Sequence, residues 1–230
     1  MQPARTLRGK VLAQKLGILG GTFNPIHFGH LAAAELVRDR LKLDRVLFIP
    51  SYLPPHKRDI DIPSALHRQT MVNLAIAGNP HFILSDIEIK REGRSYSIDT
   101  MEELERDYPE TEFYFIAGID SFLEIQTWKD WQRLLSLCWF VVLSRPGYAF
   151  SDLTVIGFMR QSEKELRALD RGELFSAMVR TDEIGVFLEQ IPLLDVSSTD
   201  IRTRVHQRGS IKYLLPEIVE TYIINNDLYA

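Results

Sequence analysis

The chain has 230 residues, of which 45% are apolar and 25% charged, proportions that are typical of a folded globular protein. Lys and Arg total 27 against 31 Asp and Glu, giving a net charge of −4, so no overall basic field favours nucleic acid as the main partner. The single cysteine excludes an internal disulfide and a cysteine-rich zinc site.

The apolar runs of the chain are short. None approaches the roughly 20 residues that a membrane-spanning helix needs. Residues 1–14 are basic but have no apolar core, so they do not read as a secretory signal. We therefore expect a cytoplasmic protein that does not act at a membrane, with a basic N-terminal extension over residues 1–14 and a single domain over 15–230.

The first regular elements follow this extension in an order that is informative about topology. An apolar strand is predicted over 16–19 and is closed by two glycines. Apolar spacing predicts a helix over about 29–43, and a second strand over 45–50 ends at a proline. Strand, glycine turn, helix and strand together indicate a right-handed βαβ unit with parallel strands.

The alternation of helices and strands continues along the rest of the chain. Strands rich in Val, Ile, Leu and Phe, without polar alternation, indicate a parallel sheet that is covered on both faces. The predicted fold class is therefore α/β, a doubly wound parallel sheet with helices on both faces. Residues 148–195 are the least regular part, and the sequence assigns them no role. Helices are predicted over 64–78, 98–106, 131–137, 163–174 and 216–225, with another after Ser197, and strands over 82–89, 113–117, 139–143 and 186–188.

The most informative segment joins the first strand to the first helix, the place where doubly wound folds bind phosphates. It reads Gly-Gly-Thr-Phe-Asn-Pro-Ile-His-Phe-Gly-His over residues 20–30. Glycines allow a ligand to approach the backbone closely, and His27 and His30 are spaced so that both face the start of the helix. The segment lacks the Lys-Ser/Thr pair of a Walker loop and the third glycine of GxGxxG.

Other readings of this segment stay open at this point. The glycines alone are compatible with a structural turn. Two histidines at i and i+3 are also compatible with a metal site, for which His56 is the only remote third ligand, and either histidine alone is compatible with an ordinary surface residue. A zinc-dependent hydrolase is the function that the metal reading would imply.

A second candidate segment is Val-Ser-Ser-Thr-Asp-Ile-Arg over residues 196–202. Hydroxyl side chains at this position are typical of a helix N-terminus, where backbone N–H groups point outward. Arg202 lies about one turn into the helix, where a guanidinium suits phosphate oxygens. An ordinary capped helix with a solvated arginine is the alternative.

Together the two segments resemble a known family. Residues 20–30 resemble the HxGH signature of the nucleotidylyltransferase superfamily, and residues 196–202 are similar to its SSTxIR motif. Further segments are similar to those of bacterial nicotinate-nucleotide adenylyltransferases: Pro-Pro-His-Lys at 54–57, Ser-Tyr-Ser-Ile-Asp-Thr at 95–100, Ala-Gly-Ile-Asp at 117–120, and Trp128. The resemblance extends from about Leu16 to Leu228 and implies a Rossmann-like fold.

The resemblance also implies an activity and a set of site residues. Such enzymes transfer the adenylyl group of ATP to nicotinate mononucleotide, with Mg²⁺ bound mainly through the ATP phosphates and no dedicated metal ligand. The residues expected to take part in catalysis are His27, His30, Lys57 and Arg202. Those expected to bind ATP are Gly20, Gly21, Thr22, Phe23, His27, His30, Gly118, Asp120, Ser198, Thr199 and Arg202. Those expected to bind nicotinate mononucleotide are Asn24, Lys57, Ser97, Trp128, Lys129 and Arg145.

Three positions depart from the common family pattern. Asn24 stands where Asp is frequent, Ser97 replaces a threonine, and Lys129 follows Trp128 where an aromatic residue is common. Two other functions stay open: a sibling nucleotidylyltransferase that uses another phosphorylated acceptor, and a nucleotide-binding protein without turnover. Homo-oligomerisation is also left open.

Overall fold

The computed structural model describes residues 14–54, 62–192 and 194–230. These residues form a seven-stranded sheet. The predicted extension over 1–14 lies outside the described residues except for Gln14, which begins the first strand. The strands are β1 (Gln14–Gly21), β2 (Arg45–Pro50), β3 (Phe82–Leu84), β4 (Thr111–Gly118), β5 (Trp139–Leu143), β6 (Ser176–Arg180) and β7 (Gly185–Glu189).

The helices follow the predicted alternation closely. Ser64 and Ser197 cap two of them, because each side-chain oxygen accepts a hydrogen bond from a backbone N–H three residues on. Short 3₁₀ helices cover Ile125–Thr127, Phe150–Val155 and Gly157–Ser162. The α-helices are α1 (Phe28–Leu41), α2 (Ala65–Ile76), α3 (Ile87–Arg91), α4 (Ser97–Asp107), α5 (Ile119–Leu123), α6 (Trp131–Leu137), α7 (Glu163–Asp170), α8 (Ser198–His206) and α9 (Glu217–Asn225).

The predicted strand over 82–89 is wrong in its second half. β3 ends at Leu84, and the chain then forms α3, in which Lys90 N–H donates to the Asp86 carbonyl at 2.8 Å. Ile87 and Ile89 alternate with polar residues as they would in a strand, but the buried member of this stretch is Glu88. A hydrogen bond from the Thr100 hydroxyl to Glu88 makes that burial tolerable.

Two further differences lie in the irregular segment over 148–195. The predicted helix over 163–174 ends at Asp170, because Gly172 adopts a left-handed conformation with φ of 70°. β6 has no counterpart in the sequence prediction. It is a short edge strand whose residues are mostly exposed, so it lacks the apolar run that marks the buried strands.

The strand order is β3-β2-β1-β4-β5-β7-β6. All neighbouring pairs are parallel except β6 and β7, which are antiparallel. The sheet is therefore parallel as predicted, with one antiparallel edge strand. From β1 the chain builds outward through β2 and β3, and then returns to add β4 on the opposite side of β1. The crevice at the carboxyl ends of β1 and β4 is thus a topological switch point, where α/β sheets bind their ligands.

Apolar side chains cover both faces of the sheet, as predicted. Leu16 and Ile18 belong to one core cluster, with residues of α4, α6 and α7. Val46 and Phe48 belong to the other, with residues of α1, α2, α8 and α9. The segment over 148–195 contributes to the first cluster and adds β6 and β7 to the sheet edge. Across the described ranges, no helix combines the length and apolarity that crossing a membrane requires.

Candidate active site

A cavity of about 710 Å³ opens at the switch point, a size typical of small-molecule sites. The ends of β1 and β4 form its floor, at Gly20 and Gly118, and the segment after β5 forms one wall. Residues after β7 close a further side, at Ile191, Pro192 and Leu194–Ser197. Segments after β1, β2, β4, β5 and β7 therefore converge on one space, with Ser51 and Pro54 following β2.

The two histidines of the first motif lie together at the mouth of α1. Their ring centroids are 3.8 Å apart, and both side chains line the cavity. Gly29 makes this packing fit, because a Cβ at that position would lie 3.0 Å from both Cε1 and Nδ1 of His27. The glycine between the histidines thus leaves room for the close approach of the His27 ring.

His27 is neutral at pH 7 in the ligand-free protein. Its side chain is 7% exposed, and burial, together with the positive charge of Arg145, lowers the pKa of His27 from 6.5 to about 4. Its Nδ1 is buried and accepts or donates no hydrogen bond among the described residues.

His30 is oriented by the backbone of its own helix start. The His27 N–H donates to Nδ1 of His30 at 3.3 Å, so in the neutral ring the proton is carried by Nε2. The Phe23 ring packs edge-on against His30, with centroids 5.2 Å apart. Nδ1 thus serves the fold, and Nε2 is the nitrogen that has a proton to donate.

The second motif holds the first one in place. The Ser198 hydroxyl donates to the Pro25 carbonyl at 2.8 Å, and Nη1 of Arg202 donates to the Asn24 carbonyl at 2.8 Å. Nη2 of Arg202 donates to Thr199 Oγ1 at 3.3 Å. The two motifs, far apart in the chain, are therefore in direct contact through the backbone of residues 24–25.

A buried arginine from α2 supports the same loop, and the sequence analysis missed it. Arg68 is 1% exposed and donates to the carbonyls of Thr22, Tyr52 and Pro63 at 2.8, 3.0 and 3.1 Å. Because Thr22 and Tyr52 are 46 and 16 residues away and all three acceptors are backbone atoms, no local pattern signals this role. Burial lowers the pKa of the Arg68 guanidinium.

The residues expected to bind the mononucleotide border the other end of the cavity. Arg145 Nη1 donates to Asp120 Oδ2 at 2.6 Å, and Lys129 Nζ donates to Asp99 Oδ1 at 2.6 Å. The Trp128 ring packs edge-on against Phe115. Both cations of this wall are thus paired with carboxylates.

Beside this wall lies a buried carboxyl group that the sequence analysis did not single out. Glu88 lines the cavity and accepts from the Thr100 hydroxyl at 2.6 Å. Burial raises the pKa of Glu88, while hydrogen bonds from Thr100 and Ser95 act in the opposite direction. The Ser95 hydroxyl also accepts from the Tyr52 N–H at 2.9 Å. This cluster ties the start of α4 to the loop after β2.

The structure places most of the predicted site residues around the cavity. Phe23 and Asn24 are buried residues of the loop after β1, with Asn24 Oδ1 accepting from the Tyr229 hydroxyl. Asp120, Ser198, Thr199 and Arg202 are adjacent but do not form its wall, and Lys57 and His56 lie outside the described residues. Those that line the cavity are Gly20, Gly21, Thr22, His27, His30, Ser97, Gly118, Trp128, Lys129 and Arg145.

The sheet order and the loop at its switch point define a nucleotide-binding α/β protein. The model of the cytidylyltransferase-like family matches residues 18–204. A protein of Geotalea daltonii named as a probable nicotinate-nucleotide adenylyltransferase is 48% identical over 94% of this chain and 98% of its own length. One of the same name from Moorella thermoacetica is 44% identical, over 94% of this chain and 91% of its own. The chain therefore belongs to the cytidylyltransferase-like family, among its nicotinate-nucleotide adenylyltransferases.

Solved structures share the fold. Nicotinic acid mononucleotide adenylyltransferase of Plasmodium falciparum, in a complex with NaAD, matches with a TM-score of 0.69 at 19% sequence identity, over 94% of this chain and 97% of that chain. The same protein in a complex with APC matches with a TM-score of 0.68. At this identity the likeness concerns the fold, and it confirms the predicted Rossmann-like class.

Proposed function

We propose that this chain transfers the adenylyl group of ATP to nicotinate mononucleotide, producing nicotinate adenine dinucleotide and pyrophosphate in NAD biosynthesis. The observation that carries the proposal is the identity of 44–48% with proteins of that name over 94% of the chain. The paired histidines at the switch-point cavity supply a site of the required kind. No observation favours another function over this one.

The reaction places particular demands on the site. An oxygen of the mononucleotide's phosphate attacks the α-phosphorus of ATP, and the bond from that phosphorus to the bridging oxygen of pyrophosphate breaks. The attacking phosphate has a second pKa of about 6 and is largely ionised at pH 7. A general base is therefore unnecessary. In-line positioning and relief of negative charge are what the protein has to contribute.

The residues around the cavity suit that task. We assign His30, whose Nε2 carries a proton, to donating a hydrogen bond to the α-phosphate as charge develops there. His27 is neutral in the ligand-free site, and an incoming triphosphate raises its pKa and makes it a second donor. Arg202 and Lys57 are assigned to the phosphates, and Arg145 to the phosphate of the mononucleotide. The Trp128 ring is assigned to the pyridine ring.

Mg²⁺ fits the residues that are present. Oδ1 of Asp120 is buried and accepts no hydrogen bond from the described residues, and Mg²⁺ takes oxygen ligands of this kind. No group of three or more potential ligands occurs among His, Cys, Asp and Glu of the described ranges. We therefore propose that ATP phosphates and water supply most ligands, with Asp120 as the ligand from the protein. A Mg²⁺ ion held in this way would supply charge neutralisation at the phosphate oxygens.

The test is pyrophosphate release by the purified chain with ATP and Mg²⁺, using each candidate acceptor in turn. Nicotinate mononucleotide is expected to have a kcat/KM at least about tenfold above that of its amide, or about 1.4 kcal/mol. The reason is that a carboxylate has two oxygens to accept hydrogen bonds near Ser97 and Trp128, whereas a carboxamide has only one. Equal values for the two would refute the stated preference. Turnover only with phosphopantetheine or a glycerol phosphate would favour a sibling transferase.

The cellular location and the binding partners of the enzyme are also part of the proposal. We propose action in the cytoplasm, consistent with a lone buried cysteine, Cys138, that forms no disulfide. The partners proposed are ATP and nicotinate mononucleotide, with no nucleic acid, in keeping with the net charge of −4. Gel filtration with light scattering measures the oligomeric state.

A further inference from the structure

The last residues described pack back onto the core near the active site. After α9 ends at Asn225, Asp227 adopts a left-handed conformation with φ of 49° and turns the chain. The Leu228 N–H then donates to the Ile223 carbonyl at 3.1 Å. Leu228 and Tyr229 pack against the core cluster that α1 and α2 share. This tail is therefore seated by both hydrogen bonding and apolar contact.

Tyr229 reaches the active-site loop directly. Its hydroxyl donates to Asn24 Oδ1 at 2.8 Å across 205 residues of sequence. Asn24 is only 5% exposed, and its carbonyl already accepts from Arg202. The side chain and the backbone of one loop residue are thus held by two different parts of the C-terminal region.

The consequence concerns the loop that places His27. Asn24 lies between Gly21, at the end of β1, and His27, at the cap of α1. Two residues before Asn24, the carbonyl of Thr22 accepts a hydrogen bond from Arg68. Arg202 and Tyr229 on Asn24 and Ser198 on Pro25 hold the loop by hydrogen bonds from distant elements, beside the buried side chains of Phe23 and Ile26. Removing one of these hydrogen bonds is expected to let the backbone between β1 and α1 shift.

We propose that Tyr229 is a positioning residue for adenylyl transfer, acting through Asn24 to hold the loop of residues 21–27 against the cavity. The hydroxyl touches no reacting atom, so its effect is on geometry. Positional errors of about 1 Å in an active site lower rates by as much as about 10²-fold. The inference rests on the proposed function for its kinetic readout only.

The phenol is suited to this role at neutral pH. Burial raises the pKa of Tyr229, and the nearby guanidinium groups of Arg68 and Arg202 act in the opposite direction. The hydroxyl therefore remains a donor over the range in which the enzyme is assayed. A pH profile of Tyr229→Phe is expected to parallel that of the wild type, because the missing group does not titrate there.

The experiment compares Tyr229→Phe with a matched control on the same C-terminal region. Tyr222 of α9 also forms a long-range hydrogen bond through its hydroxyl, to His67 Nδ1 of α2 at 2.9 Å rather than to the loop. Tyr229→Phe is expected to lower kcat by about tenfold, with KM for ATP changed by about twofold or less. Tyr222→Phe is expected to retain wild-type kcat within about twofold, although both variants lose one hydrogen bond and have similar melting temperatures.

A double-mutant cycle tests the route through Asn24. Because Tyr229 acts on that side chain, the loss caused by Tyr229→Phe is expected to vanish in an Asn24→Ala background. Additive losses would refute the route. So would a wild-type kcat for Tyr229→Phe, or an equal loss of kcat in Tyr222→Phe.

A second measurement does not depend on turnover. Amide hydrogen exchange of residues 22–27 in the ligand-free protein is expected to be faster in Tyr229→Phe than in Tyr222→Phe or the wild type. If the wild type itself shows no adenylyl transfer, the proposed function fails while the exchange experiment still decides on loop positioning. Unchanged exchange in Tyr229→Phe would overturn the positioning role in either case.

Discussion

His30 is the single side chain whose removal bears most directly on the chemistry. It lines the cavity with Nε2 carrying the proton, because Nδ1 accepts from the His27 N–H. His30→Ala is expected to lower kcat by roughly 10²–10³, the size of effect known for removal of one oxyanion donor. ATP affinity, measured by titration, is expected to fall much less. An unchanged kcat with only a raised KM for ATP would show that His30 merely binds.

The lowered pKa of His27 makes the stability of the folded protein depend on pH. Its pKa is lowered from 6.5 to about 4, so between those values the unfolded chain binds a proton that the folded protein does not. The free energy of unfolding therefore falls as pH drops from 6.5 to 4, by about 3 kcal/mol from this residue. Urea unfolding of the ligand-free protein across this window measures the slope.

The comparison with His27→Gln isolates this contribution. Glu88 and Glu189 have raised pKa values caused by burial. Their contributions have the opposite sign, favouring the folded state as pH falls. Both glutamates are retained in the variant, so the difference between the two pH profiles reports on His27. Parallel profiles would contradict the assigned pKa.

At the scale of elements, Arg202 of α8 contacts the loop after β1, so its substitution is expected to affect stability as well as activity. The sequence favoured an arginine that faces phosphate oxygens, with a solvated arginine as the alternative, whereas the structure has Nη1 on the Asn24 carbonyl at 2.8 Å. Arg202→Ala is expected to lower the free energy of unfolding by about 1–3 kcal/mol and to reduce kcat/KM by about 10²-fold. Arg202→Lys is expected to lie between, because one amine cannot reproduce the planar fork.

Arg204 of the same helix is the matched control. It pairs with Asp200 at 2.8 Å on an exposed face, so Arg204→Ala is expected to change stability by about 0.5 kcal/mol or less and leave activity unchanged. Thermal melts and steady-state kinetics of the three variants separate the two roles. Normal turnover by a destabilised Arg202→Ala would make Arg202 a structural residue alone.

At the scale of the whole molecule, the cavity joins elements from both halves of the sheet, so ligand binding is coupled to global unfolding. ATP at about 100 times its dissociation constant is expected to raise the free energy of unfolding by about 2.7 kcal/mol. For a chain of this size that is a melting-temperature increase of roughly 5–10 °C. Adenosine is expected to give a smaller increase at equal concentration, because it lacks the phosphates that we propose the loop binds. Equal increases would contradict a phosphate-binding loop.

Much of the fold is encoded in local sequence. The βαβ opening, the burial of both sheet faces and the capped start of α8 follow from apolar runs, from glycines and prolines at their ends, and from hydroxyl caps. The first motif was also recognisable, because its glycines and histidines lie within eleven consecutive residues between a predicted strand and a predicted helix. The prediction was weakest over 82–89 and in the segment over 148–195. There the alternation of Ile87 and Ile89 imitates a strand, and the exposed β6 has no apolar run.

The tertiary structure alone decided the order of the strands and what surrounds the site. Sequence periodicity sets which residues form strands, but the side of β1 on which β4 is added depends on how whole elements pack. That choice creates the switch-point cavity. The hydrogen bonds from Arg68, Arg202 and Tyr229 to the loop after β1 bridge 46, 178 and 205 residues. The sequence by itself thus determined the chemistry available to this protein, because motifs are local, and folding decided how rigidly that chemistry is held, because the groups that hold it are distant in sequence.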